Sequence, residues 1–332
     1  AMVAAPRGIL AIDETEATCT KRFAEFGITS TQDSRRDYRE MLVTTRGIRE
    51  YVSGAILVDE TIRQTISDGR TFVELLRSAG IIPGIKVDAG ARPLAGAAGE
   101  VVTEGLDRLR ERLAEYREIG ARFSKWRAVI RIGPGVPSRY CIRTNAHALG
   151  RYAALAQEAG LVPIVEPEVL MDGDHDIARC QDVTEEVLDA VFAELAAQRC
   201  LLEGMVLKPN MVVPGSASHS EATAIEIAER TLATLCRCVP AAVPGIAFLS
   251  GGLTGEEACA NLNIMVSRAP LPWELTFSFG RALQYPALQI WGGEATNVPA
   301  AQDAFLHRVQ MSGLARTGAY SPDKEHHERT PV

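Results

Sequence analysis

Residues 162–168 read Val-Pro-Ile-Val-Glu-Pro-Glu. The run is apolar, β-branched and of strand length, and it ends on two carboxylates. A continuous apolar run suits a strand covered on both faces, as in a parallel sheet. Comparable runs recur at 8–13, 55–59, 84–88, 123–130, 204–210, 245–251 and 275–280. Between them lie stretches such as 99–120, 144–160, 183–201 and 221–239, with apolar residues at three- and four-residue spacing and Gly or Pro near their ends. Strands alternating with helices predict βα units, and eight such units close a sheet on itself. The expected fold is α/β, a single-domain (β/α)8 TIM barrel over residues 1–320. Residues 321–332 are expected to form a mobile C-terminal tail.

Composition fits this reading. The 332 residues are 46% hydrophobic and 23% charged, the balance of an ordinary globular chain. A net charge of −7 argues against a nucleic-acid-binding surface and against an anionic membrane, so an anionic substrate must meet local basic residues. No apolar run approaches transmembrane length. Residues 1–7 resemble neither a secretion signal nor a transit segment, which leads to an expected cytoplasmic location. Seven scattered cysteines suggest reduced, structural thiols. No metal or other cofactor is expected. Cys236-Arg237-Cys238 lacks a second ligand pair, and only His175, near Asp172, Asp174 and Asp176, lies in a metal-like cluster.

Nearly every strand-like run finishes on a group capable of chemistry: Asp13, Asp59 with Glu60, Lys86, Lys125 with Arg127, Glu166 with Glu168, Lys208, Ser250, and Ser278 with Arg281. A barrel gathers strand C-termini at one mouth. Any one of these could merely end a strand, and a lone buried lysine could merely be an ion-pair partner. Together they are harder to dismiss, because a buried charge is costly unless it is paired or used. Strand side chains alternate faces, so Glu166 and Glu168 point the same way, as do Lys125 and Arg127.

Lys208 ends the apolar run Met205-Val206-Leu207 and precedes Pro209, which cannot extend a ladder. Its ammonium cannot attack a carbonyl, so it must lose a proton, which burial and a nearby cation such as Lys125 would favour. An imine on Lys208 would act as an electron sink for cleavage of a carbon–carbon bond, with Asp13, Glu166 or Glu168 accepting the hydroxyl proton. Ser250-Gly251-Gly252 after the seventh run, and Gly280-Arg281 after the eighth, fall where barrels commonly hold phosphate. Lys21-Arg22, with Lys86 and Arg127, could grip a second anion across the mouth. Two anion sites flanking an imine-forming lysine point to a sugar phosphorylated at both ends.

The motifs GILAIDE (8–14), KR (21–22), GIKVD (84–88), PLAG (93–96), KWR (125–127), VPIVEPE (162–168), DGDHD (172–176), LKPNMV (207–212), FLSGG (248–252) and FSFGRALQ (277–284) appear in this order. With them the chain closely resembles class I fructose-bisphosphate aldolase over nearly its whole length. The resemblance implies a metal-independent enzyme that reversibly cleaves fructose 1,6-bisphosphate to dihydroxyacetone phosphate and glyceraldehyde 3-phosphate. It implies Lys208 as the Schiff-base lysine and Glu166 as the general acid/base, supported by Asp13, Lys125 and Glu168. Ser250, Gly251, Gly280 and Arg281 resemble the site for the phosphate of the ketone half. Arg22, Thr15, Thr18, Lys86 and Arg127 resemble the site for the other phosphate, and Arg35 matches a further substrate-binding arginine. Sugar phosphates are the implied partners, and a homotetramer the implied assembly.

The chain departs from animal relatives at Thr15-Glu16-Ala17-Thr18, where hydroxyls survive, and at Ala89, where a lysine is common. Relatives also carry a C-terminal tyrosine that assists proton exchange, whereas this sequence finishes His326-His327-Glu328-Arg329-Thr330-Pro331-Val332. Three rival readings stand beside the aldolase: another Schiff-base barrel such as a transaldolase, a zinc-dependent aldolase, and an aldolase-like scaffold that holds a protein partner. The second anion site discriminates against the first, and the scarcity of histidines against the second. An intact Lys208, Glu166 and Asp13 set disfavours the third.

Overall fold

The computed structural model describes residues 1–268 and 270–326. Eight parallel strands close a barrel: β1 (Gly8–Ala11), β2 (Val52–Leu57), β3 (Ile82–Lys86), β6 (Phe123–Ile130), β7 (Val162–Val169), β8 (Val206–Leu207), β9 (Gly245–Phe248) and β10 (Glu274–Phe279). They neighbour one another in chain order, and β10 closes on β1 through Ile9 opposite Ser278 and Leu10 opposite Phe279. Helices between successive strands cover the outside, among them Gln32–Val43, Arg139–Glu158, Ile177–Ala197 and Ala224–Cys238. This is the expected (β/α)8 barrel in a single domain.

The two-residue side-chain period of a strand decides what fills the barrel. Ile9, Ala11, Ile56, Phe123, Ile164, Val206 and Ala247 form a buried apolar cluster of their own, closed below by Met2. A Cβ on Gly84 would overlap the Phe123 ring, and one on Gly54 would lie 3.0 Å from it, so these glycines make room for an aromatic plug. Burying a phenylalanine of this kind contributes roughly 1.5–3 kcal/mol. On three of the strands the same inward face turns polar two positions further along: Phe123 is followed by Lys125, Ile164 by Glu166, Val206 by Lys208.

Several boundaries differ from expectation for physical reasons. The second strand starts at Val52, because Gly54 belongs to the ladder opposite Ile9 and Ile82 rather than to a turn. Asp59 and Glu60 open a short helix (Asp59–Ile62) instead of ending the strand. The strand carrying Lys208 is only two residues long, since Pro209 has no N–H to donate. The Asn210 side chain takes over there, accepting from Val169 N at 2.9 Å. Residues 99–120 are not one helix. Val101–Thr103 (β5) pairs antiparallel with Ala91–Pro93 (β4) beside the mouth, and the helix begins only at Leu109.

Chain end residues Pro322–His326 form a 3-10 turn, with Glu325 bound to Arg308 and His307 and accepting from Tyr320 at 2.9 Å. Within the expected tail, 321–332, this turn is thus held against the helix Val298–Arg316, and residues 327–332 lie outside the described residues. All seven cysteines are unpaired thiols. Among the described residues no helix is long and apolar enough to cross a membrane.

Candidate active site

The charged ends of the strands converge on one cavity of about 750 Å³ at the C-terminal mouth of the barrel. At its floor stand Lys208 (4% exposed), Lys125 (3%) and Glu166 (3%). Lys208 Nζ lies 3.0 Å from Glu166 Oε1. Lys125 Nζ lies 2.6 Å from Asp13 Oδ2 and 3.2 Å from Glu166 Oε2, the latter an ion pair without hydrogen-bond alignment. Two ammonium groups thus face two carboxylates in a chain Asp13–Lys125–Glu166–Lys208. Lys208 is placed by its backbone, whose N–H donates to Val165 O at 2.8 Å, one position from Glu166 on β7.

Burial alone would raise the carboxyl pKa values, but the surrounding cations win. The Asp13 carboxyl is driven well below the ordinary carboxylate range, desolvation being overcome by Lys125 and then Lys208. Glu166 is likewise lowered by Lys125, Lys208 and Arg127 against its desolvation. Lys125 is held protonated: burial works against its charge, but Asp13 and Glu166 more than compensate. Lys125 is therefore a cation already paired with Asp13 and Glu166. The nearest proton acceptor for Lys208 is Glu166, in direct hydrogen-bonding range.

The second layer of the mouth is basic and pinned. Arg127 bonds Glu168, and its guanidinium pKa is raised because Glu168 outweighs the cost of burial. Lys86 is tied to Asp88, whose carboxylate also accepts from the backbone N–H of Arg127 at 3.2 Å and of Gly90 at 3.1 Å. Arg22 is held by Glu14, which Gln284 also contacts at 2.9 Å. Thr15 caps the helix Glu16–Ala24, and its hydroxyl lies 3.1 Å from that of Thr18. That helix start presents hydroxyls and N–H groups to the cavity, the setting in which phosphate is bound. On the opposite side Ser250, Gly251 and Gly280 line the wall, and Arg281 donates to Gly251 O at 3.2 Å.

All but one of the site residues expected from sequence line this cavity. The exception is Arg35, which is buried away from it in a two-pronged contact with Glu60, Nε to Oε1 being 3.0 Å. Arg39 also bonds Glu60. Glu60 is thus a carboxylate held by two buried arginines.

Sequence reasoning missed Glu14 and Asp88, which fix the direction of Arg22 and Lys86. Both stand inside the quoted motifs GILAIDE and GIKVD, and a carboxylate next to a strand-end cation was the available signal. Two buried oxygens at the floor, Glu166 Oε2 and Ser278 Oγ, have no hydrogen-bond partner among the described residues. A hydroxylated substrate can satisfy both. Among the described residues no three His, Cys, Asp or Glu side chains are grouped as metal ligands, and His175 is buried within its loop.

Comparison with known proteins bears on the same arrangement. The class I fructose-bisphosphate aldolase family profile matches residues 1–331. A Xanthomonas campestris pv. campestris protein named probable fructose-bisphosphate aldolase class 1 is 54% identical over 321 residues, 96% of each chain. The Arabidopsis thaliana protein named fructose-bisphosphate aldolase 6, cytosolic, is 52% identical, covering 96% of this chain and 88% of the relative. Among solved structures, fructose-bisphosphate aldolase from Plasmodium falciparum, solved with TRAP and a small-molecule inhibitor, superposes with a TM-score of 0.95 at 45% identity. The superposition covers 96% of this chain and 93% of that one.

Proposed function

The chain belongs to the class I fructose-bisphosphate aldolase family, the enzymes that cleave fructose 1,6-bisphosphate, and on that premise we propose that Lys208 forms the Schiff base with Glu166 moving its protons. The single observation that carries this reading is the 3.0 Å contact between Lys208 Nζ and Glu166 Oε1 on a buried floor.

In this reading Glu166 takes a proton from the Lys208 ammonium, and the free amine adds to the substrate carbonyl carbon. Glu166 returns the proton to the carbinol oxygen, water leaves, and an iminium remains on Lys208. The bond between the third and fourth sugar carbons then breaks. Its electron pair moves toward the iminium nitrogen, leaving an enamine, and the hydroxyl on the fourth carbon loses its proton to a carboxylate and becomes the aldehyde. Protonation of the enamine carbon and hydrolysis of the imine release dihydroxyacetone phosphate and restore Lys208. Asp13 and Lys125 keep the local charge balanced while Glu166 changes protonation state, and Glu168 holds Arg127.

The ketone-half phosphate is assigned to Ser250, Gly251, Gly280 and Arg281. The other is assigned to Thr15, Thr18, Arg22, Lys86 and Arg127. Arg35, which matches a further substrate-binding arginine of the family, is kept as a proposal beside its contact with Glu60, and the KM of Arg35→Ala tests it. Residues 1–320 are taken as the catalytic barrel. A homotetramer is proposed on the family resemblance, and sedimentation velocity tests it. A cytoplasmic location is proposed from the Arabidopsis relative named cytosolic, and cell fractionation tests it.

The chemistry as a whole is tested by cleavage of fructose 1,6-bisphosphate in excess EDTA. Undiminished turnover agrees with a lysine electron sink, and turnover abolished by EDTA and restored by zinc contradicts it.

A further inference from the structure

Tyr285 stands on the helix Arg281–Trp291, one turn after Arg281 and so on the same face. It lines the catalytic cavity yet is 43% exposed, one of few large apolar side chains left so open. Its ring is not loose. It packs edge-on against Phe26, with centroids 5.4 Å apart and planes at 63°. Phe26 lies two residues past the helix Glu16–Ala24, which brings Thr18 and Arg22 to the same cavity. The ring contact therefore links the end of the helix that carries Arg22 to the helix that carries Arg281. The Tyr285 hydroxyl has no hydrogen-bond partner among the described residues.

We propose that Tyr285 is a substrate-binding residue whose phenolic hydroxyl donates to the phosphate held by Thr18 and Arg22, the one remote from the ketone. The inference rests on the aldolase reading of the site and deepens it: Tyr285 sets preference for a substrate phosphorylated at both ends. Arg22 is pinned by Glu14 through Nη1, so a neutral donor from the facing helix adds to the shell of a tetrahedral anion beside it. The Phe26 contact fixes the ring, so little side-chain freedom is lost on binding.

The test compares Tyr285→Phe and Tyr285→Ala with the parent enzyme, using fructose 1,6-bisphosphate and fructose 1-phosphate. Loss of one hydrogen bond to a charged oxygen at a partly exposed site corresponds to a KM increase of about three- to tenfold. Both variants are expected to show that increase for the bisphosphate, with kcat nearly unchanged, and no change in KM for the monophosphate. Thermal melting of Tyr285→Phe should match the parent, which separates lost binding from lost packing. A Tyr285→Phe enzyme with parental KM for the bisphosphate overturns the proposal, and so does an equal KM rise for both substrates. If the parent itself cleaves neither sugar, the aldolase reading fails instead.

Discussion

The two ends of the barrel are built from the same eight strands and the same alternation, yet they hold opposite chemistry. At the lower end Ile9, Ile56, Phe123, Ile164 and Val206 fill the interior with interlocking apolar groups. Two residues later on the same inward faces come Lys125, Glu166 and Lys208, buried just as deeply. The lower layer satisfies its burial by packing alone. The upper layer satisfies its own only through a closed chain of opposite charges, and one desolvated charge without a partner would cost several kcal/mol. The difference teaches that the barrel's stability and its chemistry are separable by position along the strand, one layer apart.

That separation can be broken from either side. Lys208→Met removes the amine that lies 3.0 Å from Glu166 Oε1, and cleavage is expected to fall by on the order of 10⁵-fold or more. Circular dichroism should show an intact fold. Substantial turnover in this variant would remove Lys208 from the mechanism.

Phe123→Ala attacks the other layer. It empties the space that Gly54 and Gly84 leave for the ring, so unfolding in urea should require about 3–5 kcal/mol less. Turnover per folded molecule should stay close to the parent value. A large kcat loss with unchanged stability would mean the two layers are not separable.

Arg281→Ala sharpens the comparison at the rim. Among the described residues its guanidinium has only the Gly251 carbonyl as a partner, so it is available to an anion. KM for fructose 1,6-bisphosphate should rise about tenfold, with a smaller effect on kcat. Steady-state kinetics giving an unchanged KM would count against its assignment.

The smallest effect expected is in pH dependence. Asp13 titrates lower in the folded protein than in the unfolded chain, desolvation being overridden by Lys125 and Lys208. Its contribution to stability is therefore complete above the unfolded carboxylate value of about 4 and is lost as the pH falls below that value toward its folded one. Melting temperatures taken downward from pH 5 should fall more steeply for the parent than for Asp13→Asn. Parallel curves would show that Asp13 gains nothing from its neighbours.

The sequence revealed the upper layer better than the elements around it, and the reason is local. Val-Pro-Ile-Val-Glu and Met-Val-Leu-Lys announce an inward charge at the end of a buried strand within a few residues. The closed barrel, and the gathering of Asp13, Lys125, Glu166 and Lys208, follow from that pattern. What escaped depends on partners far apart in the chain. Gln284 reaches Ala11 O and Glu14 from the opposite end of the sequence, and nothing local marks it as the brace behind Arg22. Arg35 carries the right charge in the right βα unit, but which way it points is set by Glu60, on a later segment. The β4–β5 hairpin hid inside a helical pattern, where Val101-Val102-Thr103 was too short a run to stand out.

The central claim is that one buried amine becomes covalently joined to the ketone. It is tested most directly by treating the enzyme with dihydroxyacetone phosphate and sodium borohydride, digesting it, and locating the reduced adduct by mass spectrometry. The account predicts a stable secondary amine on the peptide containing Lys208, formed in step with loss of activity and absent from Lys208→Met. Unmodified Lys208, or an adduct confined to Lys125 or Lys86, would contradict it.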